Sequence, residues 1–265
     1  MAAIYVKLVG RMGNHMFQLA AAASLAHRMG LPCFACPDVT FWAAEPDNCY
    51  LPAYLEKYKG TLFRNFHFIE EVPRPYVLCQ EVDFAYHPLP QMENLYLSGY
   101  FQSEKYFNKP LVRRLFHIDD NMRKQLGEKY GHLLRLHPIS INVRRGDYLS
   151  AEEWHPVQPL SYFEKAISHM GADKHYLITS DDPAWCKENF IGKNYHTVEE
   201  ISPVENLYLQ SLCEGHIISN STFSWWGAWL DAKRGKKVIC PQRWFGPKLA
   251  HLDTRDLIPS GWRLL

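Results

Sequence analysis

The sequence has almost no surplus charge of either sign: 29 Lys and Arg stand against 28 Asp and Glu, leaving a net charge of +1 over 265 residues. So even a balance excludes a general electrostatic attraction to nucleic acid or to an anionic membrane, and any cationic site must be local. No apolar run approaches the roughly 18 residues that span a bilayer, and the opening MAAIYVKLVG lacks the charged n-region and cleavage pattern of a secretion signal. The expectation is a soluble, unexported, cytoplasmic protein with no transmembrane segment. Repeated cysteine spacing is also lacking: the seven cysteines, Cys33, Cys36, Cys49, Cys79, Cys186, Cys213 and Cys240, are odd in number and read as reduced thiols. Cys33 and Cys36 form a lone CxxC with no second pair or His pair at zinc spacing, so no metal site is expected. Internal repeats and low-complexity tracts are missing too.

What is present suits an α/β chain. A hydrophobic content of 47% and a charged content of 22% are those of a globular protein with a full core. Residues 3–9 read as a buried strand, followed by a tight Gly10-Arg11-Met12-Gly13-Asn14 loop and a helix from about His15 to Met29 that Gly30 stops. Such a turn presents backbone N–H groups and the positive end of a helix to a phosphate or sugar hydroxyl, unless the glycines serve only the turn. It lacks the GxGxxG spacing of a dinucleotide site. Residues 37–90 are irregular, with strand-like pieces at 62–69 and 76–78. A strand at 94–100 precedes a short helix that Ser103 caps, a helix from Pro110, and a longer one from Asp119 or Asp120 to Leu136. That last helix is the expected link between two domains, 1–136 and 137–265. Beyond it, strands at 139–143, 176–179, 216–219 and 237–240 alternate with helices at 160–170, 204–213 and 221–232, which points to a parallel sheet covered on both faces.

Chemistry concentrates where these strands end. Ser140-Ile141-Asn142-Val143 runs into Arg144-Arg145-Gly146-Asp147-Tyr148, and the carboxyl ends of parallel strands form the ligand crevice of an open α/β sheet. Neighbouring side chains point opposite ways, so one arginine grips an anion while the other pairs with a carboxylate; the alternative is an ordinary surface ion pair. Asp181-Asp182 ends the next strand, with Pro183 at a first helical position. Ser219-Asn220-Ser221-Thr222-Phe223-Ser224 opens a helix whose hydroxyls and N–H groups suit an anion. A carboxylate at a strand end can accept two hydrogen bonds from guanine, so the clusters together resemble a nucleotide site. Trp225, Trp226 and Trp229 read as core anchors.

Five blocks occur in one order: GRMGNHMFQLAAAASLAHRMG, LSGYFQSEKYF, VRRGDY, TSDDPAWCKENF and SNSTFSWWGAWL. Together they cover nearly the whole chain, which resembles the α-1,2-fucosyltransferases (glycosyltransferase family 11). The resemblance implies a GT-B-like fold, with two Rossmann-like halves whose parallel sheets face across a cleft. It implies transfer of L-fucose from GDP-fucose to the 2-hydroxyl of a galactose-terminated glycan, with inversion, no cofactor and no required metal. By position, Arg144 would hold the β-phosphate, Arg145 and Asp147 would organise the turn, and Asp181 or Asp182 would read guanine. Asn220, Ser221, Thr222 and Phe223 would receive the diphosphate, and Gly13 and Asn14 would close over the sugar nucleotide. The sequence departs from the family in two places. Asn142 replaces a His, which weakens any mechanism needing an imidazole there; Arg11 and His15 alter the usual GGLGNQ loop toward the GRFGNQ of protein O-fucosyltransferases. Asp147, Glu152 and His155 are the candidate bases, Glu152 lying five residues past Asp147 as in the core-fucosylating family, while a dissociative path with GDP taking the proton needs none. The rivals are another fucosyl linkage or acceptor, and a catalytically silent GDP- or glycan-binding module motivated by Asn142 and Arg11.

Overall fold

The computed structural model describes residues 2–37 and 51–265. Its contacts gather into two compact units: Met1–His117 with Leu252–Pro259, and Ile118–His251 with Ser260–Leu265. This division departs from the 136/137 boundary read from the sequence. The helix Asp120–Leu134 groups with the second unit, where Lys129 reaches the Glu200 carbonyl at 3.4 Å and the Glu205 carboxylate at 3.9 Å.

The first unit contains β1 (Ile4–Leu8), α1 (Met12–Met29), β2 (Cys33–Pro37), α2 (Leu51–Lys59), β3 (His67–Phe68), β4 (Val77–Gln80), β5 (Leu95–Ser98) and α3 (Lys109–Leu115). Its sheet is parallel throughout, in the order β3-β2-β1-β5-β4. The wholly buried Ile4, Val6 and Leu8 make β1 the centre, and Ala20, Ala21 and Ala22 let α1 lie close against it. Gln18, also wholly buried, binds the Val9 backbone through both ends of its amide, at 3.1 and 3.2 Å.

α1 begins three residues earlier than the sequence suggested. The Arg11 carbonyl accepts the N–H groups of Asn14 (2.8 Å) and His15 (3.0 Å), so Gly13 and Asn14 belong to the first turn rather than to a loop. The expected strand at 62–69 shrinks to His67–Phe68, because Phe63 and Phe66 close turns onto Tyr58 and Phe63. Residues 38–50 of the irregular span lie outside the described residues. Cys33 and Cys36 lie on β2, where odd spacing sends them to opposite faces, and the Cys36 thiol donates to the Glu70 carbonyl at 3.4 Å.

The second unit contains α4 (Asp120–Leu134), β6 (Ile139–Val143), α5 (Leu160–Met170), β7 (Tyr176–Ser180), α6 (Pro183–Asn189), β8 (Tyr195–Thr197), α7 (Pro203–Ser211), β9 (Gly215–Ile218), α8 (Thr222–Leu230), β10 (Lys237–Cys240) and β11 (Arg263–Leu264). Its parallel sheet runs β11-β10-β9-β6-β7-β8. All five residues of β6 are buried. Ile139, Ile141 and Val143 pack with Phe163, Ile167 and Tyr176, while the opposite face carries Ser140 and Asn142. Both polar side chains are buried and hydrogen-bonded. Asn142 donates to the Thr179 hydroxyl at 2.9 Å, and Ser140 meets His216 Nδ1 at 2.8 Å, whose Nε2 lies 3.0 Å from Asp231. Trp225 and Trp226 are wholly buried on α8, as core anchors should be. Both units are thus parallel α/β layers, the fold class read from the sequence. Among the described residues no helix is long and apolar enough to cross a membrane.

Candidate active site

Sheet order brings the chemistry of the second unit together. β7, β6 and β9 are neighbours, with Val143 opposite Ser180 and Asn142 opposite both Thr179 and Ile218, so three loops leave the sheet side by side. Parallel pairing aligns the carboxyl ends, which is why residues far apart in sequence meet there.

The arginine turn is the centre. Arg144 pairs with Asp147 at 2.5 Å and with Asp181 at 2.9 Å, its guanidinium serving two carboxylates at once. The backbone N–H of Arg144 donates to the Ser219 hydroxyl (3.1 Å), which donates in turn to the Asn142 carbonyl (2.8 Å). Arg145, two residues past the end of β6, takes different partners. Its Nε reaches Asp182 at 3.1 Å, its guanidinium lies 4.3 Å from the Trp185 ring centroid, and its N–H donates to Asp181 at 2.9 Å. Asp182 also caps α6 by accepting the Trp185 N–H at 3.1 Å. Gly146 completes the turn because a Cβ there would stand 2.6 Å from the pinned Asp181 carboxylate.

A second set of contacts ties this turn to the start of α8. The Tyr148 hydroxyl donates to the Asn220 carbonyl at 3.1 Å, and the Arg144 guanidinium sits 5.4 Å from the Tyr148 ring. Asn220 is held from three sides: by Gln158 at 3.0 Å and by the Pro156 and Trp244 carbonyls at 3.0 and 2.9 Å. Ser221 is the N-cap in extended backbone, and its side chain makes no capping bond. Thr222 and Phe223 follow in the first turn, where N–H groups have no intrahelical acceptor and the helix dipole favours an anion.

The remaining sequence candidates divide. His155 stacks on Tyr148 with centroids 5.0 Å apart and lies 5.9 Å from Phe245. Burial, aided by Arg144 and opposed by Asp147, lowers its pKa and keeps the imidazole neutral. Glu152 is exposed on the turn that follows. Arg11, Gly13 and Asn14 belong to the first unit, where Asn14 accepts a hydrogen bond from Gln102 at 3.2 Å. Tyr148, Gln158 and Trp185 were not foreseen. Tyr148 closes the quoted VRRGDY block and so carried a signal; Gln158 carried none, since only the fold brings it to Asn220.

The chain matches the family described as Glycosyl transferase family 11 over residues 2–256. It belongs to that family. Among family relatives, the O-antigen biosynthesis glycosyltransferase WbnK of Escherichia coli is 28% identical over 91% of this chain and 95% of its own length. The α-1,2-colitosyltransferase of Escherichia coli is 29% identical over 62% of this chain and 60% of its length. Galactoside α-(1,2)-fucosyltransferase 2 of Oryctolagus cuniculus is 24% identical over 85% of this chain and 66% of its length. Two solved structures share the fold: NodZ α-1,6-fucosyltransferase co-crystallised with GDP (TM-score 0.53, 14% identity, 86% of this chain and 92% of that one) and POFUT1 in complex with GDP (TM-score 0.53, 11% identity, 89% and 97%). The family makes this protein a fucosyltransferase-like glycosyltransferase enzyme.

Proposed function

We propose that the protein transfers L-fucose from GDP-fucose to the 2-hydroxyl of a terminal β-galactoside, with inversion and without a metal. The observation that carries this reading is the joining of Arg144 to the N-terminus of α8 through Ser219, Tyr148 and Asn220. A guanidinium fork beside first-turn N–H groups suits a diphosphate leaving group, whose added negative charge needs oriented donors already in place.

In the proposed reaction the acceptor oxygen attacks the anomeric carbon, the bond from that carbon to the β-phosphate oxygen breaks, and GDP leaves with the electron pair. Arg144 exchanges a carboxylate for the phosphate, while Arg145, Asp181 and Asp182 hold the turn and the guanine side. Asn142 keeps the strand end in place through Thr179. Ser221, Thr222 and Phe223 donate to the diphosphate; Arg11, Gly13 and Asn14 are assigned to the donor as well. The proton goes to Asp147, to Glu152 or to the departing GDP, whereas His155 serves as a stacked ring.

The test is GDP release from GDP-fucose, with and without lactose, in EDTA and then in magnesium. We expect acceptor-dependent release that persists in EDTA. Arg144→Ala should lower it tenfold to over a hundredfold, the scale of one charged contact at about 1.5 to 3 kcal/mol. A protein that binds GDP but turns over no galactoside would overturn the reading. A second donor is worth the same assay, because one relative is named an α-1,2-colitosyltransferase. GDP-colitose preferred over GDP-fucose would reassign the sugar and leave the diphosphate chemistry intact.

A further inference from the structure

The carboxyl ends of β1, β5 and β4 also lie side by side, in the first unit. Glu81 follows β4 directly, and its carboxylate accepts the backbone N–H of Tyr100 at 2.5 Å and of Phe101 at 2.8 Å. These bonds hold an unusual turn. Phe101 has φ 52, a left-handed conformation that costs a non-glycine residue free energy unless its surroundings fix it. Gly99 has no alternative beside it, since a Cβ there would fall on the Glu81 side chain. The turn is bound to the rest of the unit at its two ends. Gln18 donates to the Gly99 carbonyl at 3.0 Å, and Gln102, 5% exposed, donates to Asn14 Oδ1 at 3.2 Å.

We infer that Glu81 is a positioning residue for the first turn of α1: it fixes the Tyr100–Phe101 backbone, which aims Gln102 at Asn14. The link to catalysis rests on the reading above, in which Asn14 serves the donor. Two backbone donors favour the ionised carboxylate, but burial disfavours it more strongly and raises the Glu81 pKa to about 7. Asp83 raises it further and His87 opposes the rise; those two pair with each other at 3.0 Å. Cys79 of β4 and Tyr106 of the short helix Glu104–Tyr106 are further titratable neighbours, and Tyr86 stands beside Tyr106. A protonated Glu81 offers one good acceptor where the ionised form offers two, so the turn loosens as pH falls through neutrality.

The experiment compares the full-length wild type with Glu81→Gln and Gln102→Ala, using GDP-fucose and lactose between about pH 5.5 and about pH 8.5. For the wild type, the donor KM should rise roughly threefold to tenfold toward acid, the scale of one hydrogen bond, with kcat changing less. Glu81→Gln should show the raised KM at every pH and no such transition. Gln102→Ala should also raise the KM and flatten its pH profile, because it cuts the tie through which Glu81 reaches Asn14, while leaving the turn itself bonded to Glu81. Amide hydrogen exchange at Tyr100 and Phe101, at one alkaline pH, should quicken about tenfold in Glu81→Gln and stay at the wild-type rate in Gln102→Ala. A wild-type donor KM and pH profile in Glu81→Gln, or unchanged exchange at those amides, overturns the inference. If the wild type itself transfers no fucose, the functional reading has failed, and the exchange rates alone then decide whether Glu81 holds the turn.

Discussion

Arg144 shows how much a single residue's meaning depends on its partners. In sequence it is a cation next to a cation; in the fold it is gripped by Asp147 and Asp181 while Arg145 turns to Asp182 and Trp185. Two arginines among three carboxylates leave the cluster with no excess positive charge, so under the proposed function the phosphate would compete with Asp147 and Asp181 for Arg144. His155 carries a testable consequence at the same scale. Its pKa lies below the ordinary 6.5. The unfolded chain therefore takes up the proton first as pH falls, so the histidine's contribution to stability is present above about pH 6.5 and is lost through acid. His155→Phe keeps a ring against Tyr148 and cannot titrate. We expect a smaller loss of melting temperature between about pH 7 and about pH 5, with fucosyl transfer kept within about threefold, as one hydrogen bond or less would allow. A hundredfold loss of transfer at undiminished stability would make the imidazole the base.

Among the elements, the short helix α6 is the most exposed to a one-residue change. It runs for seven residues from Pro183, with Pro at its first position and Asp182 as its cap. The same carboxylate holds Arg145, so one side chain serves the helix and the turn together. Asp182→Ala should cost about 1 kcal/mol through the lost cap, with a further loss from the released arginine. Thermal unfolding measures the first, and the donor KM, expected to rise, measures the second. Asp182→Asn retains a capping oxygen and should recover most of the stability but not the KM. The strand–turn–helix order was legible here because Ser180-Asp181-Asp182-Pro183 carries cap and first-turn chemistry in consecutive residues. β8 and β11 were not legible: each is two or three residues long, and each exists through pairing with β7 and β10.

For the whole molecule, the second unit hangs on a polar thread through its core. Ser140 of β6, His216 of β9 and Asp231 just past α8 form one chain of hydrogen bonds, with His216 and Asp231 side chains 0% and 1% exposed. Burial works against charge on both. For His216 it wins and lowers the pKa, so the imidazole stays neutral; for Asp231 the bonds from His216 and the Lys233 N–H outweigh it and keep the carboxyl below its usual range. Lys236 adds bonds to the Ala228 and Asp231 carbonyls. Asp231→Ala leaves the neutral, buried His216 without its acceptor and should destabilise by about 1 to 3 kcal/mol, visible in urea unfolding. A loss below about 1 kcal/mol would show that the thread is dispensable.

Several properties follow from the sequence alone: the parallel α/β class, the core position of Trp225 and Trp226, and the clustering of Arg144, Asp181 and Ser221 at strand ends. Each is written locally, as alternation, as a cap, or as a glycine or proline at an element boundary, and local chemistry survives in any tertiary setting. The tertiary structure alone decided which of these meet. Strand order β9-β6-β7 set Tyr148 against Asn220 and Arg144 against Asp181, and the order β1-β5-β4 brought Glu81 to Phe101. Register and long-range pairing depend on what the whole chain can bury, and no window of the sequence contains that information.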